Sequence, residues 1–452
     1  MTRSAKQMHL LAMWHPPGSH WAGWRMPNAI QGTETTFEHY VDVAQRAERA
    51  KMDALFFADV AVVTSVDLLE KGDPKAGLYA HARSIEPMTL LPALATLTSR
   101  IGLVATGTTT YNEPYTLARR FAAIDQISKG RAGWNLVTSQ FEAEALNFGF
   151  EAHMPHAQRY ERASEFYDVV TGLWDSWTAD AGIEDKEAAM FFDADKVRLL
   201  NHKGKFFKVR GPLNEARSPQ GRPIISQAGS SGPGMELAAR SADVVFTAQS
   251  EFGEAKTFYD DLRAQVVTQG RAADDIKIMP GLLPIVGRTE QEAEEHYLEL
   301  QSLITDEQAL RSMHRILAGV DLTKYPLDGP LPDLPITNGA QARQRRLIEM
   351  ARRENLSIRQ LGRRYAESRS HHLVWGTPQK IADVMEDWFV REACDGYCVV
   401  FPYYPRGVTD FFDLVVPELQ RRGLFRKEYE GKTLREHFGL SLPKSQFDKQ
   451  SH

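Results

Sequence analysis

Short apolar runs that stop at a polar residue, each followed by a stretch of helical period, recur along this chain, and few architectures accept such an alternation. The clearest unit is KGRAGWNLVTS at residues 129–139. Gly130 can end the helix before it, and residues 132–137 are apolar and too few for a helix. The run finishes in the hydroxyls of Thr138 and Ser139. In parallel α/β folds the edge where strands end is the edge on which ligands sit.

The other units read the same way. Residues 8–14 form a first strand, which opens into HPPGSHWAGWR, a loop whose aromatics, glycines and prolines suit a cover. Thr35 and Glu38 have capping-box spacing, and Phe37, Tyr40, Val41, Ala44 and Ala47 recur with helical period, so a helix is expected over 36–50. Residues 53–59 give a second buried strand, stopping at Asp59. Residues 61–86 are irregular, 92–99 are helical in composition, and 101–106 make a third strand that ends at Thr106 in a hydroxyl-rich run. Pro114 suits the first position of the next helix. Beyond Pro155 another helix carries His156, Arg159 and Tyr160 in its first turn. Residues 223–228 are a fifth strand, and the turn GSSGPG at 229–234 leads straight into a helix at 235–241. That turn offers backbone N–H groups, the hydroxyls of Ser230 and Ser231 and the positive end of a helix dipole, a combination that suits a phosphate. Strands six and seven are expected at 244–247 and 277–286, a helix from Thr377 and Pro378, and an eighth strand at 396–401. Residues 176–211 and 287–370 break the alternation and are read as insertions. Eight strands alternating with helices predict one (β/α)8 TIM barrel over residues 1–452, a size that such a barrel with insertions reaches.

The totals exclude several functions. A net charge of -5 gives no reason to expect nucleic acid or an anionic membrane as partner, and the short runs RQRR at 343–346 and Arg421-Arg422 read as solvated helix faces. Two cysteines, Cys394 and Cys398, cannot make a disulfide framework and read as small core residues in a reducing compartment. The N-terminal apolar run is too short for a signal peptide and no stretch approaches a membrane span, so a cytoplasmic protein is expected. No metal spacing appears: His371 and His372 are adjacent and lack an H-E-x-x-H or Cys/His context. G-x-S-x-G and G-x-G-x-x-G are absent, and paired strand-end carboxylates are not evident. The polar groups left at strand ends are Asp59, Thr106, Thr138, Ser139 and the Ser230-Ser231 turn, which together suit a phosphate-bearing ligand in one barrel mouth.

KGRAGWNLVTS, with Asn147-Phe148-Gly149 after it, resembles the signature of the bacterial-luciferase-like flavin monooxygenases. DALFFADV at 53–60, TTTYNEPYTLARRFAAIDQISKGRAGWNLVTS at 108–139, QRYERASEFYDVV at 158–170, QAGSSGPG at 227–234 and GTPQKIAD at 376–383 narrow it to the nitrilotriacetate monooxygenase group. That group also holds dibenzothiophene-sulfone and long-chain-alkane monooxygenases. The resemblance implies a luciferase-like barrel that takes reduced FMN (FMNH2) from a separate NAD(P)H:FMN reductase, uses O2, and inserts one oxygen atom into a small organic substrate, as a homodimer or homotetramer. It places Asp59, Thr106 and Ser139 near the flavin ring and ribityl chain, and His156, Tyr160, Ser230 and Ser231 at the ribityl and phosphate end. The aromatic loop with Trp14, His15, His20, Trp21 and Trp24, and the insertion at 287–370, are expected as lid and substrate wall. Trp14, Trp24 and His81 are the substrate candidates. The aromatics suit an apolar substrate, whereas His81, Arg83 and Arg25 could equally receive a carboxylate. A deazaflavin (F420)-dependent oxidoreductase and a non-catalytic flavin-binding protein are the alternatives on the same barrel.

Overall fold

Eight parallel strands close into a ring in the computed structural model, which describes residues 6–314 and 316–445. They are β1 (His9–Trp14), β2 (Ala54–Phe57), β3 (Gly102–Thr108), β4 (Ala132–Val137), β5 (Ile224–Gln227), β6 (Val244–Thr247), β7 (Lys277–Val286) and β9 (Gly396–Val400). Consecutive strands pair, β7 meets β9 at Gly281 and Leu282, and β9 returns to β1 with Leu11 opposite Cys398. The expected barrel is therefore present. A ninth strand, β8 (His372–Gly376), was not expected from the sequence; it runs parallel to the upper half of β7, from Leu282 to Val286, outside the ring. Its five residues are short and half-buried, and follow directly on the insertion, so no apolar run announces it.

The two-residue period of a strand divides the core. Leu11, Met13, Phe56, Val104, Phe246, Met279, Cys398 and Val400 fill the barrel, while Leu10, Ala12, Leu55, Phe57, Leu103 and Ala105 face the helices. Those helices include α1 (Phe37–Arg49), α2 (Pro87–Leu97), α3 (Pro114–Ser128), α4 (His156–Trp174), α5 (Gly232–Ser241), α6 (Phe252–Thr268) and α7 (Glu290–Ser302). Two helix starts differ from expectation. Thr36, not Thr35, precedes α1, and its side chain makes no capping bond, so the capping box is not formed. α2 begins at Pro87 rather than near Pro92, because the Glu86 carboxylate accepts from the N–H groups of Met88 and Thr89 and Pro87 needs no N–H partner.

The 129–139 stretch is a rigid corner. Lys129 and Gly130 both take positive φ, and the Gly130 N–H donates to Asp125 O at 2.8 Å to close α3. Arg131, nearly fully buried, donates to Ser128 O, Thr98 Oγ1, Ile101 O, Ala95 O and Thr98 O, tying the ends of α2 and α3 to the start of β3. Trp134 is fully buried and its indole N–H donates to Gly107 O at 2.8 Å.

A C-terminal segment seals the opposite mouth. Leu434 belongs to the barrel interior, and a Cβ on Gly102 would stand 2.3 Å from Leu434 Cδ1, so this approach requires glycine. The Leu434 N–H donates to Gly130 O, Arg435 pairs with Asp243 at 3.1 Å, and Arg426 pairs with Asp53. The insertion at 287–370 carries α8 (Asp306–Met313), α9 (Gln341–Arg353) and α10 (Ile358–Ser368) around a small core of its own that includes Met313, Leu317, Leu347 and Leu361. α11 (Pro378–Val390) then leads to β9. The insertion at 176–211 forms two small hairpins, Gly182–Asp185 with Met190–Phe192 and His202–Lys203 with Lys208–Val209. No helix among the described residues is long and apolar enough to cross a membrane.

Candidate active site

The C-terminal ends of the barrel strands and the insertion enclose a cavity of about 550 Å³. That volume falls within the range of small-molecule sites. Its lining brings together Asp59, Thr106, Ser139, His156, Tyr160, Ser230 and Ser231, residues spread over more than 170 positions of sequence, together with Trp14 and His81. Trp24 is not among them: it lies in the short turn Gly23–Arg25, 45% exposed. Among the described residues no group of three His, Cys, Asp or Glu side chains is arranged to hold a metal ion.

The floor is polar. Thr106 donates to Phe57 O at 2.9 Å and accepts from the Asn135 amide at 2.8 Å, while Asn135 Oδ1, Ser226 Oγ and Gln227 Oε1 are buried without a partner. Such atoms are costly unless a ligand or water answers them. Asn135 stands opposite Ser226 on β5, so these two share one layer of the barrel interior, and Gln227 lines the cavity from the last position of β5. Beside it, Ser139 holds a positive φ of 54 although it is not glycine, with its hydroxyl between Thr108 Oγ1 and Glu144 Oε1. Glu144 also accepts from the N–H groups of Ala61, Gln140 and Phe141, so one buried carboxylate fixes the loops after β2 and β4. Burial, with Glu86 and Glu144 nearby, pushes the Asp59 carboxyl up to about 6.

The other end is cationic. Ser231 caps α5, its hydroxyl accepting from the Gly234 N–H at 3.2 Å, and the neighbouring Ser230 hydroxyl accepts from Arg346 Nη1 at 3.1 Å. Burial pulls the Arg346 guanidinium down to about 10, and its Nε has no partner. His156 and Tyr160 contact each other at the start of α4, and burial, then Arg159, lowers the His156 imidazole. Asn338 of the insertion clamps that helix start: its side-chain oxygen accepts from the His156 N–H at 3.0 Å, and its carbonyl accepts from Arg159 Nη2 at 2.6 Å.

Several placements correct the sequence reading. Arg343 and Arg346 line the cavity rather than a solvated face, because α9 lies across the mouth instead of on the outside. Arg25 donates to Leu303 O away from the cavity, whereas Arg83 does line it, paired with Glu34. Trp14 lines the cavity yet is 4% exposed, packed edge-on against Tyr40 and Tyr404. The adjacent histidines separate: His371 lines the cavity, and His372 bonds Ser250 O and contacts Trp388. Gln140 lies against the insertion, where a Cβ on Gly339 would come within 2.6 Å of Gln140 O. Sequence reasoning missed Asn135, Glu144 and Arg346. Asn135 did leave a signal, as the polar residue within an apolar strand, whereas Glu144 and Arg346 left none, since acids near helix starts and basic runs on helices are ordinary.

Comparison with known proteins agrees with this geometry. Residues 18–394 match the family described as luciferase-like monooxygenase. The chain is 48% identical over 451 residues to N-acetyl-S-(2-succino)cysteine monooxygenase of Bacillus subtilis (strain 168), covering 99% of this chain and 100% of the relative. It is 47% identical over 449 residues to nitrilotriacetate monooxygenase component A of Aminobacter aminovorans, covering 99% of each. The solved structure of a riboflavin lyase with modified FMN and substrate riboflavin superposes with a TM-score of 0.86 at 29% identity, covering 98% of both chains. The chain therefore belongs to the luciferase-like monooxygenases and is an enzyme of that flavin-dependent class.

Proposed function

We propose that the cavity holds FMN in its reduced form, delivered by a separate NAD(P)H:FMN reductase, and that the enzyme inserts one atom of O2 into a small organic substrate. The observation that carries the flavin assignment is the Ser230–Arg346 pair beside the start of α5, a cationic cradle at one end of a cavity whose floor presents unanswered acceptors. Ser230, Ser231 and Arg346 suit the phosphate, with His156 and Tyr160 beside it. Asp59, Thr106 and Ser139 suit the ribityl chain and ring, and a ring N–H or ribityl hydroxyl would answer the Asn135 and Gln227 oxygens. When bound, the reduced flavin supplies the electrons and the site of oxygen activation. The chain's tasks are to orient the ring on the fixed Glu144 loops and to keep water out beneath the insertion. Family membership supports the two-component arrangement and a homodimeric or homotetrameric assembly, and the 129–139 motif argues against the deazaflavin alternative.

The test is titration of the purified protein with FMNH2 under nitrogen, followed by rapid mixing with oxygen while absorbance is recorded. A tight complex whose reoxidation passes through a protein-dependent transient supports the reading. Failure to bind reduced FMN, or reoxidation at the rate of free FMNH2, rejects it.

A further inference from the structure

Arg369 lines the cavity at the end covered by the aromatic loop, in left-handed backbone just past α10. Its guanidinium lies over the Trp21 ring, 5.2 Å from the centroid, and Nη2 donates to His81 Nδ1 at 2.7 Å. Since arginine only donates, that bond fixes His81 as the neutral tautomer whose Nε2–H donates to Gly18 O at 2.7 Å. His15 stacks on His81 at 4.1 Å, and burial followed by Arg369 pulls both imidazoles well below their ordinary value, so no positive charge is added there. Arg369 Nε is buried without a partner. Among the described residues no carboxylate lies within ion-pair distance of Arg369 or of Arg343, which lines the same cavity; burial, and to a lesser degree the like charge of Arg343, lowers the Arg369 guanidinium.

A cation held in a cavity, with a like charge near it and no counter-ion, is stable only at a cost that an anionic ligand removes. The phosphate of a bound flavin is not that anion in the reading above, because Ser230, Ser231 and Arg346 already meet it at the start of α5. We infer that the substrate is a small organic carboxylate, and that its carboxylate group docks on Arg369 between the His15–His81 stack and Arg343. The planar fork of arginine matches a carboxylate, and Trp21 beneath it holds the fork in place. The substrate's apolar part then extends toward the strand ends, where the chemistry takes place. This specifies the substrate class for the monooxygenase reading and rests on it, but its test does not depend on turnover.

Equilibrium dialysis of radiolabelled succinate against the full-length protein under nitrogen, with and without FMNH2, decides it, with succinamide as the uncharged competitor. Succinate is expected to bind, succinamide to compete at least about tenfold less well, and Arg369→Gln to weaken succinate by at least about tenfold while FMNH2 affinity stays within about threefold. Arg343→Gln is expected to weaken succinate in the same direction, and it keeps the test decisive if the Arg369 variant does not fold. Absence of succinate binding, equal competition by succinamide, or an Arg369→Gln variant that loses FMNH2 instead would each overturn the inference. Succinate binding to a protein that takes no FMNH2 would reject the flavin reading and leave the carboxylate subsite standing.

Discussion

Asp59 shows how a single side chain is set by its surroundings. Its carboxyl lies near two other acids in a half-buried place, and its value stands at about 6 against an ordinary 3.8. Because the folded value is the higher one, the stability tied to the protonated form is fully present below pH 3.8 and is lost as the pH rises through about 6. The charged form then costs about 1 to 3 kcal/mol at neutral pH, allowing for solvent screening. Asp59→Asn cannot ionise, so its stability relative to the parent should rise by that amount across this window, as read from urea midpoints on either side of it. Arg346 is the second test at this scale. Arg346→Gln removes the cation beside Ser230, and FMNH2 affinity should fall by at least about tenfold with little change in unfolding midpoint, because the parent guanidinium has no carboxylate to leave behind.

At the level of elements, the stretch at 129–139 matters for shape as much as for chemistry. Arg131→Ala would leave five acceptors without their donor, four of them backbone carbonyls, and should cost more than about 3 kcal/mol in chemical denaturation. Arg131→Lys should recover little, since one ammonium cannot reach five acceptors arranged around a planar fork. Asn338→Ala tests the clamp between insertion and barrel: FMNH2 affinity should drop about three- to tenfold while the unfolding midpoint moves little. Much of this frame was legible because period and punctuation are local. Asp59 and Ser139 just past their strands, and the serine turn before α5, could be placed from their neighbours in the chain alone, whereas β3 runs two residues beyond the expected end at Thr106. The contributions that escaped come from long range. Arg346 meets Ser230 across 116 positions, and Asn338 meets His156 across 182. β8 is a strand only because β7 extends beyond the ring to pair with it. Trp24 sits among aromatics in sequence yet faces outward, because the loop turns over at Gly23–Arg25.

For the molecule as a whole, the cavity's acids all come from the barrel side: Asp59 and Glu86 follow β2, and Glu144 lies in the short helix after β4. Its cations come from both sides, Arg83 and Arg159 from the barrel and Arg343, Arg346 and Arg369 from the insertion. The opposite mouth is governed by the end of the chain. Leu434→Ala empties the contact with Gly102 and should destabilise the fold by about 2 to 5 kcal/mol while leaving FMNH2 affinity in the surviving folded protein unchanged, as read from denaturation and titration of the same preparation. The plug also bears on the order of events during synthesis. β1 finds its second neighbour only in β9, and Gly102, Gly130 and Asp243 find their covers only in residues 434–435. A ribosome that has delivered seven strands of the ring has therefore delivered an open sheet with two bare edges, and the ring closes only once residues 396–400 have emerged. Until then the nascent polypeptide depends on the helices already packed, and on whatever chaperones shield those edges.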